Sequence, residues 1–169
     1  MEGIHSLPFQ AEALPGHVDT VEMKPLKRKK RRDGKVRTLI VDDSLVVRAS
    51  LTEFLGSLPG MDVVGTATNG AEAIELIADR RPHLVIMDLN MPVMDGLQAL
   101  RLIRQRNRRT RVIMMTTTCG QEVKASCFAA GADAFVGKQQ IWRELETAIM
   151  CLFPKLRQAG PPVPRRTDP

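Results

Sequence analysis

Apolar residues follow two rhythms along the middle of this chain. Short, mostly apolar runs at 38–41, 62–67, 84–88, 111–115 and 134–137 are each closed by polar or turn-forming residues. Runs of that length read as strands buried on both faces. Between them the apolar residues fall three and four apart, the period of one helical face. Val47, Leu51, Phe54 and Leu55 form such a stripe in a helix that Ser44 can cap. Ala71, Ile74, Ile77 and Ala78 form another over 70–80, capped by Asn69. Leu97, Leu100 and Ile103 mark a third over 96–106. A fourth, over 121–130, stops at Gly131. The last, over 141–153, carries Ile141, Leu145, Ala148, Ile149 and Leu152 on one side.

Strand and helix alternate five times. Right-handed β-α-β crossovers then predict an α/β domain with a five-stranded parallel sheet, doubly wound, with helices on both faces. Ligands in such folds bind beyond the carboxyl ends of the strands, near the topological switch. Asp42, Asp43, Asp88, Thr116 and Lys138 all fall at such ends.

Composition narrows the class. With 169 residues, 43% hydrophobic and 26% charged, the chain suits one ordinary domain with a full core. Cys119, Cys127 and Cys151 are widely spaced and the three histidines are scattered, so neither a zinc site nor a disulfide framework is expected. Reduced thiols and a cytoplasmic location fit better. No apolar run approaches the ~18 residues of a membrane span, and the N-terminus lacks a signal-peptide pattern.

The net charge of +6 is unevenly placed: +4 over 1–37, −1 over 38–154 and +3 over 155–169. Residues 1–35, with the run Lys27-Arg28-Lys29-Lys30-Arg31-Arg32, read as a disordered basic arm. Residues 154–169 read as a proline-rich disordered tail, which leaves 36–153 as the folded domain. The arm is first a solvated charge run. Its sharper reading is weak binding of nucleic acid or an anionic surface by residues 24–35, although no aromatic residues are interleaved to stack on bases. The arginines from Arg101 to Arg111 read as a solvated face.

Asp88 alone, before Asn90-Met91-Pro92, would pass for a turn-former. Its companions change that. Three carboxylates brought together by a parallel sheet repel unless a cation sits among them. A hard divalent ion, Mg²⁺ or Mn²⁺, meets that need and keeps room for a phosphoryl oxygen. Thr116 adds a hydroxyl and Lys138 a mobile ammonium, completing a site able to stabilise a phosphoryl group. Asp95-Gly96 reads as a turn and helix start, outside the site.

The Asp42-Asp43 pair after LIV, the MDLNMPVMDG loop holding Asp88, Thr116 after VIMM, and GADAFVGK ending in Lys138 together resemble the receiver domain of bacterial two-component response regulators, whose fold is flavodoxin-like. The resemblance covers about 36–153 and implies a role for each position. Asp88 matches the phosphoacceptor, taking its phosphoryl group from a histidine kinase or phosphotransfer protein. Asp43 matches the direct Mg²⁺ ligand, Asp42 a helper through water, and Asn90 the backbone carbonyl that completes the metal site. Thr116 matches the switch hydroxyl, Lys138 the phosphoryl-pairing lysine, and Phe135 the aromatic rotamer switch. Asn90 and Thr118 match positions that tune phosphoryl lifetime. Gln139 departs from the pattern, since many receivers have proline there, so the loop after the fifth strand is expected to differ.

The expected function is a stand-alone phosphorylation-controlled switch that contacts a downstream protein through helix 4, strand 5 and helix 5. It is expected not to be an enzyme with separate substrate turnover. A nucleic-acid-binding regulator acting through the basic arm is the alternative. An aspartate-nucleophile phosphatase fits less well, because Asp88 ends the third strand and Asn90 stands where a second acid would be needed.

Overall fold

The computed structural model describes residues 34–117 and 120–158. The expected arm falls almost wholly outside them, as does most of the expected tail. Strands β1 (Val36–Val41), β2 (Met61–Ala67), β3 (Leu84–Asp88), β4 (Arg111–Thr116) and β5 (Ala134–Gly137) form one parallel sheet in the order β2-β1-β3-β4-β5. Helices α1 (Leu45–Ser57), α2 (Gly70–Arg80), α3 (Gly96–Arg106), α4 (Gln121–Ala129) and α5 (Ile141–Leu152) connect and follow them. The strand order reverses between β1 and β3, so the predicted doubly wound fold is the one observed.

Side-chain alternation divides the core into two layers. Leu84 and Ile86 point into one with Leu51, Leu55, Leu145 and Ile149; Val85 and Met87 point into the other with Ala73, Ala99, Leu100 and Cys127. Every residue of β3 is buried, which accounts for its uninterrupted apolar run. The helix starts are capped as their sequences suggest. Asn69 Oδ1 accepts from the Glu72 amide at 3.0 Å, while Glu72 Oε2 accepts from the Thr68 amide at 2.7 Å.

Three details differ from the sequence reading. In α2 Ile77 is buried as expected, but Ala73 is buried beside it and Ala78 is exposed. Helices α2 and α3 approach closely here: a Cβ on Gly70 would lie 2.8 Å from the Ala99 Cβ, so the inward face turns toward the smallest side chains. The expected tail begins with a short 3-10 helix, Pro154–Gln158, whose Leu156 is buried against Gly60. Cys127 is buried as a small apolar residue, but Cys151 is exposed on α5; Cys119 lies outside the described residues.

The loop between β3 and α3 holds a strained residue. Val93 has φ of +68° and is 86% exposed, and the Met94 amide donates to the Pro92 carbonyl at 2.7 Å across it. That is a γ-turn of the strained, positive-φ kind, carried by a β-branched residue for which this region is an outlier. Val93→Gly is expected to raise stability by about 1 kcal/mol. A urea midpoint equal to or below that of the parent would contradict this.

Candidate functional site

Strand register assembles the site. Val41 pairs with Met87, so the next residues, Asp42 and Asp88, stand side by side where β1 and β3 end. Asp88 pairs with Met115, and Thr116 with Gly137, which puts Thr116 one residue past the partner of Asp88 and Lys138 one past the partner of Thr116, at the same end of the sheet. Asp42, Asp88 and Thr116 are buried, Asp43 is exposed, and Asn90 is exposed just past β3.

The Lys138 ammonium joins the row. Its Nζ lies 2.7 Å from Asp42 Oδ2 and 2.8 Å from Asp88 Oδ2, with only 16% of the side chain exposed. Asp42 Oδ1 accepts from the Ser44 amide at 3.0 Å. Burial raises the Asp88 pKa; Lys138 and the Asn90 amide pull it back, while the Asp42 charge adds to the rise. Burial alone would lower the Lys138 pKa, but hydrogen bonds to Asp42 and Asp88 outweigh it and hold the ammonium above its ordinary range.

Carboxylate oxygens of Asp42, Asp43 and Asp88 lie within 4.8 Å of one another. Three ionised carboxylates against one ammonium leave two negative charges uncompensated. An all-oxygen donor set, open to solvent on the Asp43 side, fits a hard divalent cation.

Two residues outside the expected set hold this geometry. Arg48 Nη1 donates to the carbonyls of Asp42, at 2.7 Å, and Asp43, at 3.1 Å. A cation in the first turn of α1 opposes the helix dipole, and that was the available sequence signal. Arg48→Ala is expected to cost about 2 kcal/mol, because hydrogen bonds from a charged donor are lost. A chemical-denaturation midpoint matching the parent would exclude this role. The second residue is Gly96, where an added Cβ would collide with the Asp88 carbonyl oxygen. Glycine is a poor helix former, so its place at the start of α3 hinted at a close approach. Asp95 does cap α3, its Oδ1 accepting from the Gln98 amide at 2.7 Å, so the pair shapes the turn as expected. Yet Gly96 also touches the backbone of the central acid.

Phe135 is half-buried in β5, and Lys138–Gln140 form a 3-10 turn leading into α5. Thr118 lies outside the described residues.

Residues 38–150 match the family model of the response regulator receiver domain. The chain belongs to that family. It is therefore a receiver domain of the two-component type, a phosphorylation-controlled switch. It is 36% identical to a protein-glutamate methylesterase/protein-glutamine glutaminase of Nocardioides sp. over 137 residues, 78% of this chain and 37% of that protein. Among solved structures it resembles the response regulator domain of Thermotoga maritima CheB, with 36% identity and a TM-score of 0.62, covering 74% of this chain and 96% of that one. It also resembles a chain of the CheX-CheY-BeF3-Mg²⁺ complex of Borrelia burgdorferi, with 29% identity and a TM-score of 0.66, covering 69% and 88%.

These relatives correct one expectation. The chain was expected not to be an enzyme, whereas the curated relatives are named as enzymes, methylesterases and glutaminases. The chain spans about a third of the length of those relatives, and the match lies over the receiver portion. Among the described residues, no helix is long and apolar enough to cross a membrane.

Proposed function

We propose that Asp88 is the phosphoacceptor of this receiver and that Asp42, Asp43, Asp88 and the Asn90 carbonyl hold Mg²⁺ (or Mn²⁺). The observation that carries the reading is the Lys138 ammonium set between Asp42 and Asp88, with Asp43 close by and open to solvent. The receiver spans 36–153, in a cytoplasmic protein. A bound divalent ion would supply charge neutralisation for the phosphoryl oxygens.

The chain's own residues do the rest. An Asp88 carboxylate oxygen attacks phosphorus in line, a P–O bond forms, and the bond to the donor's leaving atom breaks. The donor is the phosphohistidine of a histidine kinase or phosphotransfer protein. Lys138 pairs with a phosphoryl oxygen, releasing Asp42 from its present contact.

The output follows from the neighbouring strands. Thr116 ends β4 beside β5, and Phe135 in β5 lines a groove of about 410 Å³ with Lys124, Arg143, Glu144 and Thr147. The new dianion draws the Thr116 hydroxyl inward and makes room for Phe135, which reshapes the α4-β5-α5 face read by a downstream protein. In relatives named as methylesterases the matched segment is one part of a longer chain. A receiver of this kind governs the effector joined or docked to it.

Beryllofluoride with Mg²⁺ tests the switch. Hydrogen exchange across 121–152 is expected to change in the parent and to stay unchanged in Asp88→Asn. Equal changes in both proteins would overturn the proposal.

A further inference from the structure

The end of the sheet opposite the acid site carries the reverse charge. Parallel strands all start at one end, so Lys35, Arg37 and Arg111 gather there. The Arg37 amide donates to His83 Nδ1 at 3.1 Å, and the Arg111 amide donates to the His83 carbonyl at 2.8 Å, tying the starts of β1, β3 and β4 together. Residues 101–111 hold six arginines and no acid.

These arginines are not equivalent. Arg104 is committed to the fold: it donates to the Gly131 and Thr110 carbonyls and pairs with Asp133, each at 2.7 Å. Arg111 pairs with the same carboxylate at 2.6 Å. Asp133 is thereby used up. Arg106, Arg108 and Arg109 are exposed and, among the described residues, no acid pairs with them. Arg81, at the end of the neighbouring α2, is exposed in the same way. The chain also enters β1 at this end, and its preceding residues include the basic run 27–32.

We propose that this arginine edge, centred on Arg106, Arg108 and Arg109, binds the phosphate backbone of duplex nucleic acid. Unpaired guanidinium groups match phosphate oxygens in pairs and favour polyanions over isolated carboxylates. Releasing counterions from the duplex drives such binding without base readout. A membrane surface fits less well, because it calls for an apolar face beside the cations. Among the described residues, the exposed large apolar side chains Leu45, Val46, Val93 and Trp142 lie in segments that follow strand ends on the acid-pocket side, and only Phe128, near the end of α4, approaches this end. Arg111 pairs with Leu84, four residues before Asp88, so the edge lies about 13 Å from the acid row along the strand.

The test is fluorescence anisotropy of a labelled DNA duplex with the full chain across a salt series. The parent is expected to bind at low salt. Arg106→Ala/Arg108→Ala/Arg109→Ala is expected to weaken binding about tenfold or more and to lower the salt slope by about 3. Arg108→Gln/Arg109→Gln, confined to the exposed loop, should lower the slope by about 2. Phosphatidylserine vesicles in the same buffer should bind less tightly and not respond to the triple change. The proposal falls if the parent does not bind DNA at low salt, if both variants bind like the parent because the 27–32 run alone suffices, or if the vesicles are preferred.

Discussion

Gly96→Ala is expected to destabilise the fold and to abolish the reactivity of Asp88 together. The methyl group would collide with the Asp88 carbonyl oxygen, and 3.0 Å away stands the Leu89 Cα, also backbone. No flexible side chain is available to give way. The loop is fastened from both ends as well: the Gly96 amide donates to the Leu89 carbonyl at 2.8 Å and the Gly70 amide to the Met94 carbonyl at 3.0 Å. Overpacking against such a frame costs about 3 kcal/mol, the upper end of the usual range. Any relaxation moves the end of β3, and with it the carboxylate. A urea midpoint and phosphoryl labelling both within error of the parent would show that the loop can yield.

Lys138→Ala is the second large effect. It removes the one counter-charge that, among the described residues, pairs with both Asp42 and Asp88, which are buried. Leaving a buried ion pair with one side missing typically costs about 3 kcal/mol. In the parent, the Lys138 pKa is raised, so its contribution is complete below about pH 10.5, the ordinary lysine value, and is lost as pH rises through the higher folded value. Asp88, also raised, contributes stability that is complete below about pH 3.8 and lost as pH rises through its folded value. Without Lys138 the Asp88 pKa should rise further, because the cation no longer favours ionisation. Metal-free Lys138→Ala should therefore lose stability at neutral pH and recover part of it on acidification toward that pKa. A mutant as stable as the parent at pH 7 without divalent ions would refute this balance of charges.

The strands were legible because sheets buried on both faces leave uninterrupted apolar runs, and β3 is the plainest case. The five polar groups at strand ends were legible because parallel register brings ends together whatever the loops do. Arg48 and Gly96 were not, since each acts on backbone atoms of residues whose proximity exists only after folding. A carbonyl leaves no mark in its partner's sequence. Ala73 was missed for a related reason: its inward placement depends on how closely α2 meets α3, a contact made through Gly70 and Ala99. Leu156 looked like part of a proline-rich tail, and only the space above Gly60 gives it a place in the core. The aromatic Phe54 is another such case. It meets Trp142 edge-to-face at a centroid distance of 5.4 Å, joining α1 to α5 on one face of the sheet although they lie far apart in sequence.

The central claim is that Asp88, compensated by Lys138 and a divalent ion, is the nucleophile. Mass spectrometry of the intact chain after incubation with acetyl phosphate and Mg²⁺ tests it most directly. One added phosphoryl group per chain is expected in the parent, none after chelation of the metal, and none in Asp88→Asn. Equal labelling of Asp88→Asn and the parent would contradict the assignment.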